Sequence, residues 1–165
     1  MNTSNSIPIV YIMLSSYCLA CSLMEHFAII PGWAITPSQN LSTSHKTQSD
    51  SIVAVYVFAK IALIAFNVLL LFVPHAPFKV PGGIPMWVVL WSTAMLSLSW
   101  IVSFSVMFPL QRRIKKGDAT AIVKLVENDW FRVGAMVALC LGVVLGVPFH
   151  IWELQEVPWI FASAK

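Results

Sequence analysis

Charge is what this chain is short of. Charged residues fill 10% of its 165 positions, against roughly 25% in an ordinary soluble domain, and a solvated globular surface is thereby excluded. The formal net charge of +3 comes mostly from one short basic segment, so no nucleic-acid partner is expected. The signatures of common soluble chemistry are missing as well: there is no phosphate loop, nucleophile elbow or zinc motif. Glu25 and His26 are adjacent, so on a helix their side chains diverge by about 100°. His45, His75 and His150 fall in a loop or at the opposite face, and no metal site and no cofactor is expected.

Cysteine is nearly absent, with Cys18, Cys21 and Cys140 making up the whole complement. Cys18 and Cys21 have the spacing of a redox pair, but both lie in the middle of an apolar run. The only other cysteine is far along the chain, so no second pair is present to deliver electrons. Small apolar helix filler is the better account of all three.

What fills the chain is apolar: 58% of residues, with a mean hydropathy of +0.80. Four runs, 8–30, 51–73, 85–108 and 130–149, are each about 20 residues or longer, enough to cross about 30 Å of hydrocarbon. An all-α polytopic membrane protein, a bundle of four transmembrane helices in one domain, is the expected fold. The first run lacks a positive segment before it and continues into Glu25 and His26, so it reads as a retained helix and not a signal peptide.

Lys and Arg set the expected orientation. Arg112, Arg113, Lys115, Lys116 and Lys124 crowd the basic loop 110–128, which the positive-inside rule places in the cytoplasm with both termini external. Trp33 and Trp130 would then mark the inner interface, and Trp87, Trp152 and Trp159 the outer one. Residues 36–50, rich in Ser, Thr and Asn, read as a flexible cytoplasmic loop, and 75–83 as a tight external turn. Gly117 and Asp118 are placed to end one helix and cap the next. The stretch 118–128 reads as an interfacial amphipathic helix leading into the fourth span.

Helical phase locates the polar residues. At 100° per residue, Tyr11, Ser15, Cys18, Ser22 and Glu25 fall within about 40° of one line. Tyr56, Lys60 and Asn67 form a second stripe on the second span. Polar groups have no partner in lipid, so both stripes are expected to face inward. By depth, Glu25 and Lys60 stand at a similar height, which allows an ion pair or a shared water cluster. The alternative is that Lys60 snorkels alone to the headgroups and Glu25 is a structural carboxylate. Asp129 and Arg132, three apart, share a face, and Arg132 is expected to pair locally or with phosphate headgroups. Gly134, Ala138, Gly142 and Gly146 place a small residue at every fourth position of the fourth span, for packing within the bundle or for a homo-oligomer through Gly142 and Gly146. Ser92, Ser99 and Ser103 on the third span read as close-packing residues of the same kind.

Two segments carry a family resemblance: Glu25-His26-Phe27-Ala28-Ile29-Ile30-Pro31-Gly32-Trp33, and Pro109-Leu110-Gln111-Arg112-Arg113 through Gly117-Asp118 to Asn128-Asp129-Trp130-Phe131-Arg132. With this order of elements the chain resembles the small four-helix membrane proteins grouped with anthrone oxygenases. The members with an assigned role oxidise polycyclic anthrones to quinones. The resemblance implies a cofactor-independent oxygenase and assigns no catalytic residue.

Two functions stay open from the residues themselves. In one, an intramembrane pocket binds and oxidises a hydrophobic aromatic molecule. There Glu25 or His26 acts as base, Lys60 and Arg132 stabilise anionic charge, and Tyr56, Asn67, Trp33 and Trp130 complete the binding surface. In the other, a small transporter or accessory subunit works through Glu25 and Lys60. Membrane lipids are partners in either case, and a purely structural membrane protein is the third possibility.

Overall fold

The computed structural model describes residues 3–72 and 83–156, with side chains for all of these except 3–5, 38, 39, 49–54 and 148–156. Among the described residues there are seven α-helices and no strand: α1 (Thr3–Met24), α2 (Ile30–Ala34), α3 (Ser38–Ile52), α4 (Phe58–Phe72), α5 (Met86–Val102), α6 (Phe108–Lys115) and α7 (Thr120–Glu156). Three of the junctions do not break the rod. The π-turns Glu25–Ile29, Val53–Val57 and Ser103–Met107 carry α1 into α2, α3 into α4 and α5 into α6. Four helical stretches, Ser6–Ala34, Val55–Phe72, Met86–Lys115 and Thr120–Val147, are long and apolar enough to cross a membrane. The protein is an all-α four-helix bundle of the multi-pass membrane type.

Two of the π-turns have a cause in the sequence. A proline inside a helix offers no N–H, and its ring presses on the carbonyl four residues earlier. For Pro31 that carbonyl belongs to Phe27 and for Pro109 to Ser105, each inside a π-turn. The widened turn takes up the conflict. The Ile30 N–H donates to the Glu25 carbonyl and the Phe108 N–H to the Ser103 carbonyl, each five residues back. The extra residue also resets the phase. An unbroken helix would turn Ile30 about 100° away from the line of Tyr11, and the π-turn removes about that much. Ile30 is fully buried.

The stretch 36–50 is not a loop. Most of it is α3, whose Leu41 and His45, one turn apart, are both buried. The helix is held by packing and not by propensity: Leu41 joins Ile30 and Trp33 of α2, Met107, Leu110 and Ile114 from the third span and its π-turn, and Ala121, Ile122 and Leu125 of α7 in one apolar cluster. The stretch 118–128 leads into the fourth span as a helix from Thr120 on. Residues 120–128 are the first part of α7, continuous with the fourth span and packed into that same cluster. The turn between α6 and α7 is as the residues foretell. Gly117 has φ +87°, and Asp118 accepts hydrogen bonds from the Thr120 N–H at 3.0 Å and the Thr120 hydroxyl at 2.6 Å. Thr120, then Arg113, hold the Asp118 carboxyl below its ordinary range. The expected 75–83 turn falls almost wholly outside the described residues, as do Trp159 and Lys165 and the side chains of His150 and Trp152.

A second apolar cluster fills the other half of the bundle, built on Tyr11, Leu63, Leu96, Met136, Leu139 and Val143. α7 is its spine, packing against both α1 and α5. Two of its glycines serve this packing: a Cβ on Gly142 would collide with the Trp91 indole, and one on Gly146 would come within 2.5 Å of Val88. Between the two apolar clusters lies a layer of polar side chains, bordered by the π-turns.

Candidate functional site

The polar stripe of α1 faces inward as its phase requires, with Tyr11, Ser15, Cys18, Ser22 and Glu25 all buried. So does that of the second span, where Tyr56, Lys60 and Asn67 are buried. Seven residues, about 10 Å of helix, separate Lys60 from Asn67, and they belong to different networks. Asn67 accepts from the Tyr11 hydroxyl at 2.8 Å and donates to Ser92 at 3.1 Å, within the apolar half. It is not part of the site around Lys60.

That site is centred on Arg132. Its Nε donates to Asp129 Oδ1 at 2.5 Å, the local pair expected from their spacing, and its Nη1 donates to Glu25 Oε2 at the start of the π-turn after α1. The pairing of Glu25 thus differs from the Glu25–Lys60 contact that depth alone allowed. Height was read correctly, but Arg132 comes in from α7 at the same level and its planar fork bridges both carboxylates. Lys60 instead donates to Ser99 on α5 at 2.6 Å and lies 4.4 Å from the centre of the Tyr56 ring. It is 1% exposed, so it does not snorkel out of the bundle. Tyr56 in turn shares a 2.6 Å hydrogen bond with Ser22.

His26 and Trp130 stand behind this centre and not in it. His26 Nδ1 is 2.9 Å from Asp129 Oδ2, and the ring lies 4.2 Å from that of Trp130. Trp130 turns 52% of its surface outward. His26 therefore holds Asp129, which holds Arg132; it does not face the cavity described below. Trp33, expected at the interface as a belt residue, is buried instead. Its Nε1 donates to Gln48 of α3 at 2.6 Å, and its ring lies 4.3 Å from that of His45.

Glu25, Trp33, Tyr56, Lys60 and Arg132 line one cavity, together with Val57, Trp100, Ser103, Met107, Phe108 and Gln111. Its volume, counted as space open to the centre of a water molecule, is about 50 Å³. The third span contributes most of the residues that sequence reasoning missed. The signal for them was the serine series: Ser92 and Ser99 accept from Asn67 and Lys60, and Ser103 lines the cavity. These serines answer the polar stripe of the second span, which is a more specific role than close packing. Trp100, one place beyond Ser99, had no mark in the sequence.

The unpaired groups of the cavity share one character. Arg132 Nη2 and Trp100 Nε1 are buried donors without a partner among the described residues. Lys60 Nζ, with one hydrogen bond to Ser99, keeps donor capacity beyond it. Burying an unpaired donor costs about 1–3 kcal/mol, and two of them beside one cavity favour a ligand that accepts. Glu25 is the one carboxylate among the cavity-lining residues. Cys18, Cys21 and Cys140 are buried, free and outside the lining of this cavity. Among the described residues no three His, Cys, Asp or Glu side chains converge as metal ligands would. Comparison of the chain with family profiles, with curated proteins and with solved structures yields no match.

Proposed function

We propose that this protein binds a hydrophobic small molecule inside the membrane through an acidic or carbonyl oxygen, and that it oxidises an aromatic ligand held there. The observation that carries the binding is that Lys60, Trp100 and Arg132 line one cavity, Trp100 Nε1 and Arg132 Nη2 being buried donors without a partner among the described residues. In a low-dielectric layer such donors favour an oxyanion or a polarised carbonyl far more than in water. Oxidation draws its support from the resemblance to anthrone oxygenases. An anthrone that loses a proton from its ring methylene becomes a phenolate-like anion. Its carbon then takes up dioxygen, and loss of water leaves a second ketone, so CH2 and O2 become C=O and H2O. In this reading Glu25 receives the proton, Lys60, Trp100 and Arg132 hold the oxyanion, and Tyr56 and Trp33 wall the cavity.

The test uses 1,8-dihydroxyanthrone with the full chain in lipid nanodiscs, following quinone absorbance and oxygen uptake together. Wild type is expected to exceed protein-free nanodiscs, with Lys60→Met and Trp100→Phe at least tenfold slower. Ligand-dependent quenching without oxygen uptake would remove the oxidation and keep the binding. Equal quenching in wild type, Lys60→Met and Trp100→Phe would remove both.

A further inference from the structure

We infer that the ligand is elongated: its oxygen-bearing end lies against Lys60, Trp100 and Arg132, and a linear apolar body lies along the crevice between α4 and α5, reached sideways from the bilayer. This rests on the binding reading above and specifies the class of molecule.

A second, mostly apolar cavity of about 120 Å³ is lined by Ile64, Asn67, Val68 and Leu71 of α4 and by Thr93, Leu96 and Ser97 of α5, with Trp100 again in its wall. The order of residues makes the two cavities successive stretches of one crevice. Along α4, Lys60 of the polar cavity is followed one turn later by Ile64 of the apolar one; along the third span, read backwards, Ser103 is followed by Trp100 and then Ser97. Trp100 is the partition between them.

Size divides the ligand between the two stretches. A single water needs roughly 10–15 Å³, so the polar cavity of about 50 Å³ takes the oxygen-bearing end of a ligand and leaves the greater part of its apolar body outside. The larger, apolar stretch lies directly beyond Trp100. From Lys60 to Leu71 the helix rises about 16 Å, half of a hydrocarbon core of about 30 Å. A chain laid there runs alongside the acyl chains of one leaflet. The way in is lateral: Ile64 and Val68 turn 38% and 45% of their surface outward. Charge complementarity fixes which end enters first: Lys60 and Arg132 line the polar cavity, whereas no charged residue lines the second, whose Asn67, Thr93 and Ser97 already donate to Ser92, Val89 and Thr93.

The experiment is photolabelling of the full chain in nanodiscs with two phenols, one bearing a diazirine at the end of a fifteen-carbon chain and one bearing it on a two-carbon chain. The long probe is expected to label residues 64–71 and 93–97, and Ser97→Phe, an outward position, is expected to cut that labelling at least tenfold without touching the short probe. Val68→Phe repeats the block from α4 should Ser97→Phe fail to fold. Labelling by the long probe spread over the outward residues of all four spans, or unchanged in a folded blocking variant, overturns the inference. If Lys60→Met abolishes short-probe labelling in that event, the binding reading survives it. If Lys60→Met and Trp100→Phe alter neither probe, the binding reading itself falls.

Discussion

Glu25 and Arg132, 107 positions apart in the chain, form the ion pair that ties α1 to α7 within the polar layer. Both are buried, so removing one partner leaves a charge inside the bundle without its counter-ion across the helices, at a cost of about 3–5 kcal/mol in soluble proteins. Glu25→Gln and Arg132→Gln are each expected to lower thermal stability in detergent strongly, and the double variant to be more stable than their sum predicts. The same cycle between Glu25 and Lys60 is expected to give a much smaller coupling, because Lys60 is bonded to Ser99. Equal couplings in the two cycles would mean that Lys60 and Arg132 share the carboxylate.

Gly142 and Gly134 predict opposite outcomes for the same change. A Cβ on Gly142 runs into the Trp91 indole, whose N–H donates to the Ala138 carbonyl at 2.9 Å, whereas one on Gly134 meets nothing within 4 Å. Gly142→Ala is expected to cost about 1–3 kcal/mol through overpacking. Gly134→Ala is expected to be neutral or to gain up to about 1 kcal/mol from helix propensity. Equal unfolding temperatures for the two variants would show that Trp91 swings aside freely.

His45 predicts a pH dependence in the packing of α3. It is fully buried, with both ring nitrogens unpartnered among the described residues, against Trp33 of α2. Burial, and then Lys115 of α6, push its pKa below the ordinary 6.5. A depressed histidine pKa means that the unfolded chain binds the proton more readily. The contribution of neutral His45 is therefore full above about pH 6.5 and is lost as pH falls from there through the lower folded value, at up to about 1.4 kcal/mol per pH unit. His45→Phe, which keeps a ring against Trp33, is expected to flatten this part of the profile between pH 7 and 5. Thermal unfolding across that range decides it; an unchanged slope in the variant would place the sensitivity elsewhere.

The basic segment from Arg112 to Lys124 predicts sidedness. Reporter fusions after Lys116 are expected to read cytoplasmic and those after Lys165 external. The reverse result would move the Lys60 cavity to the external half of the bilayer.

Hydropathy was enough to find the bundle, and phase was enough to turn Tyr11, Ser22, Glu25, Tyr56 and Lys60 inward. The partners were harder, because a stripe on one helix gives a direction but does not name the helix facing it. Lys60 met Ser99 and Glu25 met Arg132 through the order in which the spans pack, which is a long-range property. α3 escaped for a related reason: its own residues favour a loop, and only the surface offered by Trp33, Leu110 and Ile114 makes a helix of them. The apolar run 8–30 ends just before Pro31, and a proline normally ends a helix at or before the preceding residue. A π-turn let the rod run on to Ala34.

The polar layer between the two apolar clusters holds Glu25 and Asp129 against Arg132 and Lys60. Taken at their usual formal charges, with His26 neutral, these cancel, and a transmembrane voltage does work only on net charge displaced through it. The unliganded layer thus gives the voltage no lever. A ligand arriving with its acidic proton preserves that balance, whereas one arriving as an anion leaves the layer one charge negative and makes its occupancy depend on membrane potential.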